Sequence, residues 1–307
     1  MTKILAITGG VGGAKLALGL SKVLNEDEVL FLVNTGDDFQ HLGLEISPDV
    51  DSLLYALSEK NNPELGWGRK DESWNFISTL EELGEDAWFR LGDRDLALHI
   101  IRTQKLARGQ SIQQVTDELS AALGIKHRIA PMSQSKISTI VETPGGKLGF
   151  QEYFVREKCE PKVLNFQFQG IETAEPNPVV VSWLKQCDGV IICPSNPYVS
   201  VDPILKVPGL KKLLRSKPVI AVSPIVGGLA IKGPAAKMMK ELGVPPSPIA
   251  VSDHYGDLLS GFVLDKTDGD QANDISIPSI VTQTVMVTLQ DRIDLAKQCV
   301  RFLEELA

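Results

Sequence analysis

Residues 1–60 constrain this chain more than any other stretch. Residues 3–8 form a short apolar run that ends in Gly9-Gly10, and residues 14–24 then carry apolar side chains at helical spacing. Residues 29–33 form a second apolar run, closed by Asn34-Thr35-Gly36. A buried strand, a glycine turn, a helix and a second buried strand are the start of a doubly wound, mostly parallel, Rossmann-like α/β sheet.

The pattern continues with a helix predicted over 49–58, because Ser47-Pro48 precedes it and acidic residues open it. Helical patterns follow over 72–83, 93–107 and 111–123. From about residue 125 the character changes. Segments 137–141, 148–155 and 163–168 read as extended, with a turn at Pro144-Gly145-Gly146. Alternation resumes with a helix over 178–185, buried strands over 189–193 and 218–222, a helix over 235–242 and a closing amphipathic helix over 291–305. The expectation is one large α/β domain over 1–307, with an inserted α+β subdomain, or subsidiary β-containing region, at about 125–175.

Composition narrows the function classes. Of 307 residues, 43% are hydrophobic and 23% charged, which suits a globular chain with a sizeable core. Lys plus Arg total 31 against 39 Asp plus Glu, a net charge of −8. That balance argues against nucleic-acid partners, which need a basic surface, and leaves room for one local phosphate pocket. No run approaches the roughly 20 apolar residues of a membrane span, and the first eight residues are too short for a signal-peptide core. The expectation is a cytoplasmic protein with no membrane partner. Cys159, Cys187, Cys193 and Cys299 have neither zinc spacing nor a disulfide framework and read as structural thiols.

Glycines carry the first chemical signal. Gly9-Gly10-Val11-Gly12-Gly13-Ala14-Lys15 lies between strand and helix. Glycines there let the backbone approach a phosphate, and a helix N-terminus offers unpaired N–H groups. The loop is neither a dinucleotide fingerprint nor a Walker A loop, and a tight turn without a ligand is the alternative. Acids carry the second signal. Asp37 and Asp38 follow the second strand, and Asp49 and Asp51 follow soon after. Clustered carboxylates at the C-terminal edge of a sheet suit Mg²⁺, which takes one or two of them plus phosphate oxygens and water; Asp49 or Asp51 would equally cap the helix that begins there. Arg90-Leu91-Gly92-Asp93-Arg94-Asp95 opens a helix that carries His99, and a capped helix with a salt-bridged arginine explains it as well as a site does. Pro194-Ser195-Asn196-Pro197 and Ser223-Pro224-Ile225-Val226-Gly227 follow two later strands, placed to contact a nucleotide or simply to turn the chain. No Gly-x-Ser-x-Gly elbow marks Ser195 as a nucleophile.

The glycine loop, Asn34-Thr35-Gly36-Asp37-Asp38, Ser47-Pro48-Asp49-Val50-Asp51, Leu91-Gly92-Asp93-Arg94-Asp95, Pro131-Met132-Ser133, Pro194-Ser195-Asn196-Pro197 and Ala221-Val222-Ser223-Pro224-Ile225 occur in this order. Together they resemble the 2-phospho-L-lactate transferase family of deazaflavin coenzyme F(420) biosynthesis, over residues 4–255. The resemblance implies transfer of a 2-phospholactyl or phosphoenolpyruvyl group from a guanosine diphosphate adduct. The acceptor is the ribityl hydroxyl of 7,8-didemethyl-8-hydroxy-5-deazariboflavin (Fo), and GMP leaves. It implies Mg²⁺ as cofactor and a homodimer. By the family pattern Asp38 and Asp51 are catalytic and bind metal, with Asp37 and Asp49 as further ligands. Gly10, Gly12, Gly13 and Lys15 hold the diphosphate. Ser195, Asn196, Ser223 and Gly227 hold the guanosine side, and Asp51 and Arg90 contact Fo. Asn34, Asp93 and Arg94 complete the substrate-binding set. One loop departs: Pro131-Met132-Ser133-Gln134-Ser135 stands where the family has Pro-Met-Ser-Asp-Asp, so it is not assigned to metal.

Two rival readings stay open on the residues. One is a non-enzymatic regulatory protein of a sister family that binds nucleotide sugars. The other is an NAD-binding oxidoreductase, disfavoured because no acidic residue follows the glycine loop at the ribose position within a proper Gly-x-Gly-x-x-Gly context.

Overall fold

The structure is a computed structural model that describes residues 2–62 and 67–306. The first unit is β1 (Ile4–Thr8), α1 (Gly10–Val23) and β2 (Val29–Val33). A small antiparallel hairpin, β3 (Phe39–His41) and β4 (Leu44–Ile46), leads into α2 (Pro48–Leu57). Three helices follow: α3 (Asn75–Glu82), α4 (Asp93–Ala107) and α5 (Ile112–Ala122), and then β5 (Arg128–Pro131). The chain next builds a separate antiparallel sheet from β6 (Ser138–Thr143), β7 (Gly146–Gly149) and β8 (Asn165–Gln169), in the order β7-β6-β8. It returns through α6 (Pro178–Leu184) to β9 (Gly189–Ile192), then α7 (Asp202–Leu205), α8 (Leu210–Leu214) and β10 (Val219–Val222). A two-strand ribbon, β11 (Ile225–Val226) and β12 (Leu229–Ala230), precedes α9 (Ala235–Glu241) and α10 (Pro248–Tyr255). The chain ends with β13 (Gly261–Asp265), β14 (Ser279–Thr282) and α11 (Leu289–Leu306).

Among the described residues the central sheet has seven strands, in the order β14-β13-β10-β9-β1-β2-β5. All its pairings are parallel, as expected of a doubly wound α/β fold. The alternation of side chains along a strand explains the two layers. Ile4 and Ala6 of β1 pack with α1, α2 and α11 on one face, while Leu5 and Ile7 pack with α6, α8, α9 and α10 on the other. The five inner strands are buried on both faces, so they read as continuous apolar runs.

The separate sheet is narrower than the 125–175 region expected from sequence. Arg128–Pro131 pairs with β2 in the main sheet instead. The extended reading of 148–155 also stops short: β7 ends at Gly149, and Glu152–Arg156 forms a short helical turn. Strands β13 and β14 have no counterpart in the sequence reading. They are four or five residues long, and such short apolar runs carry no periodicity that separates strand from coil.

Strand order fixes the position of the site. The chain moves from β1 to β2 on one side and later to β9 on the other, so the order reverses between β1 and β9. Loops leaving two adjacent strands in opposite directions open a crevice at their C-terminal ends. The glycine loop leaves β1 there, and Pro194-Ser195-Asn196 leaves β9.

Candidate active site

A cavity of about 420 Å³ opens at this crevice. Gly9, Gly10, Val11, Gly12 and Lys15 form its floor, together with Pro194, Ser195, Asn196 and Ser200. Close approach explains the glycines. A β-carbon at Gly12 would lie 2.5 Å from the Pro194 carbonyl oxygen, and one at Gly13 would lie 2.3 Å from Thr8 Oγ1. Gly10 adopts φ +64°, a conformation that favours glycine. Ser195 Oγ accepts from the Gly9 N–H at 3.2 Å, so Ser195 braces the loop as well as lining the cavity. Lys15 Nζ donates to the Met286 carbonyl at 3.0 Å. Burial, then the nearby charges of Lys232 and Arg292, lower its pKa. Lys15 and Lys232 both line the cavity, so its floor is cationic.

The carboxylates stand against this floor. Asp49 lies in the first turn of α2, where the helix N-terminus favours negative charge. It accepts from Asn34 Nδ2 at 2.9 Å and from the Gly10 N–H, which ties α2 to the glycine loop. Burial still pushes Asp49 up to about 6. Burial, and then repulsion from Asp49, raises Asp37 well above the usual carboxylate range. Burial does the same to Asp38, although Ser47 Oγ donates to it at 2.8 Å. One oxygen each of Asp37 and Asp38 is buried without a hydrogen-bond partner. Asp37 and Asp49 line the main cavity. Asp38 lines a second cavity of about 420 Å³ that adjoins the first at Asp37, Phe150 and Gln151.

Crowded buried carboxylates with unpartnered oxygens fit a divalent cation, which would relieve their mutual repulsion. Among the described residues no group of three or more His, Cys, Asp or Glu side chains forms a metal cage. Mg²⁺ held by one or two carboxylates completes its shell with phosphate oxygens and water.

Asp51 differs from the other three. Both of its oxygens are bound by Arg102 of α4, one of them at 3.0 Å. Sequence reasoning missed Arg102, although Asp95, His99 and Arg102 recur at helical spacing on α4, which is a readable signal. It missed the cavity's apolar wall as well. Trp67, Phe89, Phe150, Phe154, Ile231 and Met286 line it, with Tyr55. Phe150 and Phe154 stack with their planes 4° apart. Arg90 also lines the cavity, and its guanidinium lies 5.1 Å from the Trp74 ring.

The remaining candidates are not in the cavity wall. Asn34 is fully buried and holds Asp49 and the Gly36 N–H. Asp93 receives Ser73 Oγ at 2.6 Å and the Phe76 N–H at 3.0 Å, so it anchors the start of α3. Arg94 is exposed and does not line the cavity. Gly13 packs beneath the loop against Thr8 and Ser195. Ser223 closes a turn with Ile225, and the Gly227 N–H donates to Asp268 at 2.9 Å. Asn34, Asp93, Ser223 and Gly227 brace the loops, each with its polar atoms spent on backbone or on a neighbouring side chain. Cys187, Cys193 and Cys299 are buried and free, and Cys159 is half-buried and free.

The family described as 2-phospho-L-lactate transferase CofD matches residues 4–296. A 2-phospho-L-lactate transferase of Methanocaldococcus jannaschii is 38% identical over 99% of both chains. A phosphoenolpyruvate transferase of Kitasatospora aureofaciens is 36% identical, covering 94% of this chain and 93% of that one. A UPF0052 family protein from Bacillus halodurans superposes with a TM-score of 0.67 at 15% identity, over 98% of this chain and 99% of that one, which speaks for the fold. Matched over residues 4–296 by the family model and almost end to end by these transferases, the chain belongs to the 2-phospho-L-lactate transferase CofD family.

Proposed function

We propose that the protein transfers a 2-phospholactyl or phosphoenolpyruvyl group from its guanosine diphosphate adduct to the ribityl hydroxyl of Fo, releasing GMP. The observation that carries this reading is one cavity that combines a cationic glycine floor, aspartates and an aromatic wall. The floor suits a diphosphate, because backbone N–H groups at a helix N-terminus and Lys15 both favour anions. The aromatic wall of Phe150, Phe154, Phe89 and Trp67 suits a planar deazaflavin ring.

In the reaction the hydroxyl oxygen forms a bond to the phosphorus that carries the acid. The bond from that phosphorus to the GMP oxygen breaks, and the hydroxyl proton is lost to solvent. Positioning and charge neutralisation supply most of the acceleration in such a transfer. One or two of Asp37, Asp38 and Asp49 would hold Mg²⁺, with Asp51 adjacent. Bound there, Mg²⁺ supplies charge neutralisation on the bridging and leaving oxygens. Lys15 and the Gly10 and Gly12 backbone hold the diphosphate. Ser195 and Asn196 face the nucleotide side, and Asp51 and Arg90 face the acceptor. We read the working form as a cytoplasmic homodimer; among the described residues, no helix is long and apolar enough to cross a membrane.

The test incubates purified protein with Fo, Mg²⁺ and each guanylyl donor in turn, following GMP and the phosphorylated deazaflavin by mass. Product with either donor supports the reading and names the acid. No product with both donors, while a uridine nucleotide sugar binds tightly, overturns it in favour of a nucleotide-sugar-binding regulator.

A further inference from the structure

Asp51, Tyr55, Asp95 and His99 line the main cavity and join a polar network that reaches back to the buried Arg102, an arrangement that the proposed reaction does not by itself require. Helix α4 carries Asp95, His99 and Arg102 on one face, turned toward the first turns of α2. Arg102 is 1% exposed and lines neither cavity, whereas Asp51 lines the main one. The Arg102 guanidinium grips both Asp51 oxygens and donates to His99 Nδ1 at 3.2 Å. A guanidinium only donates, so in this contact Nδ1 accepts; His99 Nε2 lies 3.3 Å from Asp95 Oδ1. The Tyr55 hydroxyl of α2 donates to the same Asp95 oxygen.

Stability alone is a poor reason for this arrangement. A buried ion pair loses hydration that its Coulomb attraction only partly repays, and well-packed apolar residues often serve as well. What a bidentate guanidinium does supply is direction: its planar fork fixes a carboxylate in one orientation. Its charge also divides the four aspartates. Asp51 is neutralised locally, while among the described residues Asp37, Asp38 and Asp49 form no ion pair.

We infer that Arg102 is a positioning residue: it fixes the Asp51 carboxylate at the cavity wall to accept the hydrogen bond of the attacking hydroxyl, and keeps Asp51 out of the cation's ligand set. The inference rests on the transfer reading above, and its test is arranged to separate the two.

The test uses Arg102→Gln and Arg102→Lys in the full chain. In the Mg²⁺-free crystal structure of Arg102→Gln, the Asp51 carboxylate is expected to leave its present orientation. In the Fo assay kcat is expected to fall about 100-fold, the scale of a misplaced catalytic group, with KM for the guanylyl donor unchanged. Arg102→Lys, which keeps the charge and loses the fork, is expected to recover only part of that loss. Mg²⁺ affinity, read by thermal shift, is expected to hold in Arg102→Gln and to drop in Asp49→Asn. An Asp51 carboxylate that stays in place overturns the inference. So does an unchanged kcat, a donor KM that rises in step with the loss, or a fall in Mg²⁺ affinity in Arg102→Gln. If Arg102→Gln does not fold, Arg102→Lys carries the same readouts. Absence of turnover by the unmodified protein counts against the transfer reading alone, and the crystal structure and Mg²⁺ titration then decide the role of Arg102.

Discussion

Single residues here act through the space they leave or the bonds they gather. Gly12 leaves space: its hydrogen is all that fits beneath the Pro194 carbonyl. Gly12→Ala is expected to shift the loop, cost about 1–3 kcal/mol of stability and reduce turnover at least tenfold, read by thermal melts and the Fo assay. Asp265 gathers bonds, at the end of β13. It accepts the Thr284 N–H at 2.7 Å and the Thr267 N–H at 3.0 Å, together with both threonine hydroxyls. Burial pushes this carboxyl up, and the four bonds outweigh burial and hold it below its ordinary value of 3.8. A depressed folded-state pKa means stability that is present above the unfolded pKa and lost as pH falls through the folded one. Asp265→Asn is therefore expected to cost about 2 kcal/mol at pH 7, with the gap to the unmodified protein closing below about pH 4. A gap that is the same at pH 7 and pH 3 contradicts this account. Since Thr284 lines the cavity, the same bonds hold one edge of the site.

At the scale of elements, α11 closes the fold against α1 and the strand starts. A β-carbon at Gly19 of α1 would lie 2.1 Å from the Arg292 carbonyl oxygen, so the two helices meet with no room for a side chain at this position. Gly189 and Gly261 make room in the same way for Leu303 and Phe302. Gly19→Ala must separate the helices, and is expected to cost about 1–3 kcal/mol. Differential scanning calorimetry should show this as a lower Tm, while an unchanged Tm would mean that the helices part freely. Helix α5 tests local chemistry instead. Ser111 and Gln114 form a capping box, each side chain bonded to the other's backbone N–H. Ser111→Ala is expected to cost about 1 kcal/mol by chemical denaturation, with turnover unchanged because α5 does not line the cavity.

At the scale of the whole molecule, the sheet brings together acids that lie on separate elements and leaves them to repel one another. Ligand binding to the folded state alone raises stability by mass action. Mg²⁺ is therefore expected to raise the Tm of the unmodified protein, and to raise that of the double variant Asp37→Asn/Asp49→Asn far less. Equal shifts in both would move the cation away from these residues. The family similarity also belongs to this scale: it runs over 4–296, through the main sheet and the separate small one alike.

Much of this architecture is legible in the amino-acid sequence. The β1–α1–β2 opening announces a parallel sheet because strands buried on both faces must be continuously apolar, and 3–8 and 29–33 are. The glycine loop, Asp37-Asp38 and the Ser195 loop are legible because each follows a strand, and strand ends in such folds face ligands; Asp49 and Asp51 are legible as the acidic start of a helix. Their order along the chain carries the family. Sequence does not tell Asp51 from its three neighbours, since spacing on α2 says nothing about a guanidinium arriving from α4 fifty-one residues later. Nor does it separate wall from brace. Asn34, Asp93, Ser223 and Gly227 stand beside cavity residues in the chain, yet their polar atoms turn to neighbouring backbone and side chains. The aromatic wall draws on segments near residues 67, 89 and 150–154 that no local pattern links. Local sequence thus determined which elements form and where a ligand loop must lie, because backbone sterics and apolar periodicity are short-range. Which carboxylate is paired, and which side chains face the cavity, depends on contacts between distant segments, and only the packed tertiary structure decided them.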